Sequence, residues 1–238
     1  MANNPFEACA KTVRKHDPDR YLSALFAPAD RRPFLFALYA LNHELARVAE
    51  SVREPMIGEI RLEWWRETLE GARNGNPRPH DVARAMATAF AAFDLPPEVL
   101  TAMIDARSLD FNHGSFTDDT SRDDYIDATS GNVMRLASRI LGAVRDDFAR
   151  EAGLAYGLVG LLRNQAVTGH HILADIASAN VDALAHLTKA RRVKKGGVSL
   201  AAFLPASLVP LYLRNPAKDV SLHRKQLRLL SCALRGSV

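Results

Sequence analysis

The sequence predicts an all-α protein, and three observations carry the prediction. Apolar residues recur at three- and four-residue spacing almost throughout the 238 residues, strand-like alternation is absent, and proline and glycine fall where helices would start and stop. A chain of this length that is 47% hydrophobic can bury one sizeable core, so residues 1–238 are read as a single domain. The excess of 31 basic over 27 acidic residues is too small to indicate nucleic acid, and no nucleic-acid motif accompanies it. Cys9 and Cys232 stand near opposite ends without metal spacing, which fits a reducing compartment, the cytoplasm by default. The first residues hold no signal-peptide core and no run is long enough to span a bilayer, so any membrane contact is expected from the surface, peripheral at the inner membrane.

Taken in order, Asp17 as cap and Pro18 in the first turn open a first helix reaching Phe26. Pro33 to Val52 is the stretch the chain is organised around. Its first half, Phe34 to Leu41, is apolar on every side and has to be buried all round, whereas Asn42, His43, Arg47 and Glu50 turn polar groups toward another helix or a ligand. Glu54-Pro55 opens the next helix, through Ile57, Ile60, Leu62, Trp64, Trp65 and Leu69, and the breakers Asn74-Gly75-Asn76-Pro77 end it. Helices follow over His80–Phe93 and from Leu95-Pro96-Pro97, where Val99, Leu100, Met103, Ile104 and Leu109 form the buried stripe. The acidic stretch with Asp110, Asp118, Asp119, Asp123, Asp124 and Asp127 lacks EF-hand spacing and reads as a helix start, with Thr120 or Ser121 as cap and Asp123 and Asp124 complementing the helix dipole. One helix then runs from Tyr125 to Gly142 and another from Asp146 to Val167. Asp175–Leu187, the basic run Lys189–Lys195, the apolar Val198–Leu213 and Ser221–Leu234 complete the chain; the basic run reads as a solvated loop, with contact to an anionic lipid surface as the alternative.

Common catalytic motifs fail on chemistry. His43-Glu44 begins a zinc-protease pattern, but the second histidine is replaced by Arg47, which cannot ligate a metal. His170-His171 are adjacent and point to different sides of a helix, with no third ligand nearby, so they are read as surface or interface residues. Trp64-Trp65 reads as core plus interface rather than a base-stacking platform.

An ordered series of segments resembles the squalene/phytoene synthase family over most of the chain. Ala37 to Glu50 stands where that family has a pattern like A-L-Y-A-F-x-R-x-x-D-D-x-x-D, with Tyr39 and His43 inside it. Gly75-Asn-Pro77, Leu95-Pro96, Met103-Ile104-Asp105 and Leu109-Asp110-Phe111 resemble the middle section, and Tyr125 to Val133 the Y-x-x-x-V-A-G-x-V segment. Gly153-Leu-Ala155 through Leu161-Leu162-Arg163 is similar to the helix that carries the second aspartate motif, and Phe203-Leu-Pro205 with Leu211-Tyr-Leu213 to the C-terminal part. The resemblance implies the isoprenoid synthase bundle around a central apolar cavity.

It also implies a site from which the acids are missing. Family members ionise a prenyl diphosphate with Mg²⁺ held between two aspartate motifs, because a departing diphosphate needs its charge neutralised and hard cations need carboxylate oxygens. Here the first motif reads Ala46, Arg47 and Glu50, and the second reads Arg163, Asn164, Val167 and Thr168, so four of five carboxylates are absent. Gly157 and Gly160 replace polar residues of the second helix and leave room for helices to approach. The expectation is therefore a pseudoenzyme with no catalytic residue and no cofactor, similar to the branch that assists assembly of respiratory complex I, with a complex I subunit or assembly intermediate, or a lipid-like ligand, as partner. The alternative is an active farnesyl or geranylgeranyl diphosphate transferase, which would need Mg²⁺ and acids from the Asp118–Asp127 stretch. A third reading is a metal-free binder of an anionic lipid or diphosphate through Arg47 and Arg163, against which stands a salt bridge of Arg47 with Glu44 or Glu50.

Overall fold

Prolines and acceptor side chains set the first helix starts of the computed structural model, which describes residues 4–111, 116, 118–192 and 198–238. The Asn4 side chain accepts from Phe6 N at 3.1 Å and Pro5 occupies the first turn, giving α1 (Pro5–His16). This helix was not anticipated, although Asn-Pro is a start signal. Asp17 ends α1, its N–H donating to the Val13 carbonyl, and opens α2 (Pro18–Ala24) by accepting from Arg20 N at 3.0 Å.

Helix α3 (Arg32–Ala46) is the centre of the molecule: Leu35 to Leu41 are all buried, and it packs on α1, α2, α5 (Asp81–Ala92) and α8 (Asn132–Ile140). The expected extension to Val52 is corrected. The α-helix stops at Ala46, and Ala49–Ser51 form a separate 3-10 turn in which the Ser51 hydroxyl donates to the Val48 carbonyl, a local bond that competes with the helical ladder. Helix α4 (Pro55–Arg73) keeps Leu62, Trp65 and Leu69 inside and leaves Met56, Ile57, Ile60 and Trp64 exposed. Gly58 lets the Phe111 ring lie against the helix, since a Cβ there would meet the ring at 2.4 Å. Helix α6 (Pro97–Asp105) continues as a 3-10 segment to Phe111.

The cap of the acidic stretch is Asp118 rather than Thr120 or Ser121: its carboxylate accepts from Ser121 N at 2.7 Å and starts α7 (Asp119–Ile126). The single helix expected from Tyr125 to Gly142 is three pieces, α7, a π-helical turn over Asp127–Gly131, and α8. The π turn widens the backbone where α9 (Asp146–Thr168) crosses it, and a Cβ on Gly153 would lie 2.5 Å from Gly131 Cα. Gly169 ends α9 in the left-handed conformation, φ 74°. In α10 (Ile176–Arg192) the basic run begins inside the last helical turn and not in a loop; Val193–Lys195 lie outside the described residues. Two 3-10 segments, α11 (Val209–Tyr212) and α12 (Leu222–Arg235) follow. The buried apolar residues form one contiguous cluster, and Cys9 and Cys232 are both free thiols inside it or at its edge. Burial, then the nearby Asp81, pushes the Cys9 thiol up to about 12. No strand occurs among the described residues, and no described helix is long and apolar enough to cross a membrane.

Candidate functional site

The first degenerate motif lies where α3 ends. Tyr39 is buried with its hydroxyl unpartnered, and the half-buried His43 ring stacks on His16 with centroids 4.4 Å apart. Burial, then the neighbouring His16 and Arg47, holds His43 below the ordinary histidine value despite Glu44 and Glu50. Of the three positions expected to carry acids, Ala46 closes α3, Arg47 caps it and Glu50 stands on the separate 3-10 turn. Arg47 lies outside, 52% exposed, with Nη1 3.4 Å from Glu44 Oε1, and Glu50 is exposed on the separate 3-10 turn. Arg47 opens onto a cleft of about 300 Å³ bounded by Ser51, Arg61, Trp64, Trp65 and His80. Trp65 is buried and Trp64 is at the surface, packed edge to face against it.

Behind that motif the interior holds arginine. Arg20 is buried against the rings of Tyr39 and Tyr156, 5.9 and 5.1 Å from their centroids, and its Nη1 pairs with Asp17 at 2.8 Å. Arg107 donates to Asp110, to the Tyr125 hydroxyl at 3.0 Å and to the Asn42 side-chain oxygen at 3.4 Å. Burial disfavours both cations, yet Asp17 for Arg20, and Tyr125 and Asp110 for Arg107, hold each above the usual arginine value. Asn42 was singled out as an inward polar group, but its partner Arg107 was not, nor was Arg20. Their only sequence signal is an acid three residues away, Asp17 before Arg20 and Asp110 after Arg107.

The second degenerate motif is on α9. Gly157 is closed against the preceding layer, where a Cβ would meet Ile126 Cγ2 at 2.3 Å, whereas Gly160 faces open space. Asn164 and Val167 are exposed. Arg163 stacks over Tyr212 at 4.1 Å and lies 3.3 Å from Asp219. Gly160 and Arg163 border a cleft of about 500 Å³ with polar walls that include Lys15, Asp17, Asp219 and Lys225. At its floor Asp19 accepts from the hydroxyls of Tyr156 and Tyr212 and pairs with Lys225 at 3.0 Å, joining α2, α9, α11 and α12. Burial, then the Asp19 charge, raises both tyrosines well above their ordinary value. Arg47 and Arg163 line different clefts.

The donors present do not fit a magnesium–diphosphate cluster. At the five motif positions stand a methyl, an exposed guanidinium, one exposed carboxylate, a neutral amide and the Thr168 hydroxyl, and no group of three His, Cys, Asp or Glu converges among the described residues. The acidic stretch does not make good the loss. Asp110 is held by Arg107 and Tyr125, Asp119 and Asp123 by Arg122, and Asp127 by Arg135 and Arg150, while Asp118 caps α7 and Asp124 is exposed.

The helical order defines the class: a squalene-synthase-type fold. Over 95% of this chain it superposes on a dehydrosqualene synthase crystallised with ligand, TM-score 0.74 at 16% identity, covering 94% of that chain. A squalene synthase, HpnC from Alicyclobacillus acidocaldarius, gives TM-score 0.67 at 19% identity over 98% of this chain and 94% of that one. The squalene/phytoene synthase family model matches residues 13–171, and the chain belongs to that family. It is similar to NADH dehydrogenase (ubiquinone) complex I, assembly factor 6, of Homo sapiens, 32% identical over 158 residues that cover 65% of this chain and 47% of that protein. The Drosophila melanogaster homolog is 28% identical over 171 residues, 68% of this chain and 51% of that one. The chain thus spans about half the length of the curated relatives it matches.

Proposed function

We propose that this protein is a non-catalytic member of the squalene/phytoene synthase family that assists assembly of respiratory complex I, working from the cytoplasmic side as a peripheral protein at the inner membrane. The carrying observation is the state of the first motif: the helix that should present three acids ends at Ala46, and Arg47 and Glu50 turn outward beyond it. The names of its relatives supply the direction of the reading. A binding role needs a surface, and α4 offers one, where Met56, Ile57, Ile60 and Trp64 are exposed and Trp64 borders the Arg47 cleft. Apolar side chains grouped on one helix side are what a protein partner buries.

The test is a gene deletion complemented with variants. Loss of the gene lowers NADH:quinone activity of the membranes; the natural chain restores it, while Ile60→Asp with Trp64→Ala does not, although the purified variant melts as a folded protein. In parallel, the purified chain with magnesium releases no pyrophosphate from farnesyl or geranylgeranyl diphosphate. Normal complex I in the deletion strain, or steady pyrophosphate release, would sink the reading.

A further inference from the structure

Helix α12 packs through Lys225, Leu229 and Cys232 and leaves a second apolar side uncovered. Leu227, Leu230 and Leu234 are 68, 47 and 81% exposed, and their three- and four-residue spacing places them on one side of the helix. Single exposed leucines are ordinary, but a stripe of them is not. Arg224, Arg228 and Arg235 run beside the stripe at spacings of four and seven. Arg228 and Arg235 meet Arg191, from the last turn of α10, around a cleft of about 330 Å³.

These guanidiniums are not neutralised as others in the protein are. Arg20, Arg66, Arg107, Arg122, Arg135 and Arg150 each meet a carboxylate. Around the α12 cleft Arg228 Nε donates to the Ser207 carbonyl at 3.0 Å and Arg191 Nε to the terminal oxygen of Val238 at 2.7 Å, and no Asp or Glu side chain pairs with Arg191, Arg224, Arg228 or Arg235 among the described residues. Burial, then the facing Arg228, holds Arg191 below the usual arginine value, so positive charge is crowded here. Leu222 to Arg235 contains no acidic residue at all.

We propose that this face docks on an anionic phospholipid surface, the arginines of the α12 cleft taking lipid phosphates while Leu227, Leu230 and Leu234 enter the acyl boundary. A guanidinium fork matches phosphate oxygens in pairs, and apolar and basic residues side by side on an acid-free helix suit a membrane surface that is negative outside and apolar beneath. The proposal gives a named face to the peripheral placement proposed above and rests on it for location only. Its test uses purified protein and no respiratory complex, so either reading can fail without the other.

The full chain is sedimented with phosphatidylcholine vesicles, alone or with a third phosphatidylglycerol. It partitions onto the anionic vesicles, stays in solution with the neutral ones, and is released by salt. Arg224→Glu with Arg235→Glu lowers partitioning roughly thirtyfold, at ~1 kcal/mol for each basic residue lost; Leu230→Ser with Leu234→Ser lowers it about tenfold or more. All four positions are exposed, and matched thermal midpoints confirm that the variants are folded. Equal binding to both vesicle types, no binding to either, or unaltered variants overturn the proposal. So does sedimentation velocity showing a dimer that the leucine substitutions dissolve, which would assign the stripe to a second copy.

Discussion

At the scale of single residues, His43 and Asp19 lead to two measurements. His43 stacks on His16 beside Arg47, and its proton affinity is lowered in the fold, so the folded chain binds fewer protons there than the unfolded chain does. The stability it contributes is present above the unfolded histidine value of ~6.5 and is lost as pH falls through the lower folded value. Urea midpoints of the natural chain should therefore decline from pH 8 to pH 5.5 more steeply than those of His43→Gln; parallel curves would remove His43 from the account. Asp19 is matched by the buried Lys225 and two tyrosine hydroxyls. Asp19→Ala leaves the buried ammonium with the exposed Asp219 alone, 3.2 Å away, at a cost below the ~3–5 kcal/mol of a wholly broken buried pair, and adding Lys225→Met recovers a large part of it. A double-mutant cycle reads the coupling directly, and additive losses would show that the pair is not the fastening. Nothing in the sequence announces this pair, since its members stand at positions 19 and 225 and only the folded chain brings them together.

At the scale of elements, three glycines on α9 separate three physical situations. Gly153→Ala drives a Cβ to 2.5 Å from the Gly131 backbone, which cannot step aside, and overpacking of that kind costs ~1–3 kcal/mol or more. Gly157→Ala meets side-chain atoms of Ile126 and Ser130 rather than backbone, so although the β-branched Ile126 yields stiffly, the loss is smaller. Gly160→Ala meets nothing and gains about 1 kcal/mol of helix propensity. Chemical denaturation should rank stability as Gly160→Ala, natural chain, Gly157→Ala, Gly153→Ala, and any other order would contradict the packing described for α9 on the π turn. The rhythm of apolar residues made most of these helices legible, α4 and α5 within a residue or two of their ends. It did not show the π turn, which arises because Gly131 and Gly153 bring two backbones together, a tertiary demand that leaves the spacing of Tyr125, Val133, Leu136 and Ile140 unchanged. Nor did it show the break after Ala46, where Leu45 and Val48 keep helical spacing across a backbone that has left the helix.

At the scale of the whole molecule, the order of the family-like segments was legible, and the side chains that meet between them were not. The substitutions at Ala46, Arg47, Asn164 and Thr168 could be read from their order along the chain. That Arg20 and Arg107 fill the interior beside Tyr39 and Tyr125, and that Arg47 and Arg163 open onto separate clefts, depends on how α2, α3, α9 and the segment after α6 meet. On the pseudoenzyme reading, the fold, as well as the four substituted positions, bears on the site. Carboxylates at spacings of one and four hold cations together only on an unbroken helix, and here the last ladder bond of α3 is that of Arg47 N–H to the His43 carbonyl, so the third position, Glu50, stands on a separate 3-10 turn. Reinstalling the family pattern with Ala46→Asp, Arg47→Asp, Glu50→Asp, Asn164→Asp and Thr168→Asp therefore should not create a prenyltransferase. The fivefold variant, mixed with magnesium and farnesyl diphosphate, is expected to release pyrophosphate no faster than the natural chain. Magnesium should also leave its thermal midpoint within about 1 °C, because a ligand raises stability only in proportion to how tightly the folded state holds it. A magnesium-dependent rise in melting temperature with pyrophosphate release would mean that the helix re-forms through Val52 once the acids return, and that the arginine-filled interior is no obstacle to the chemistry.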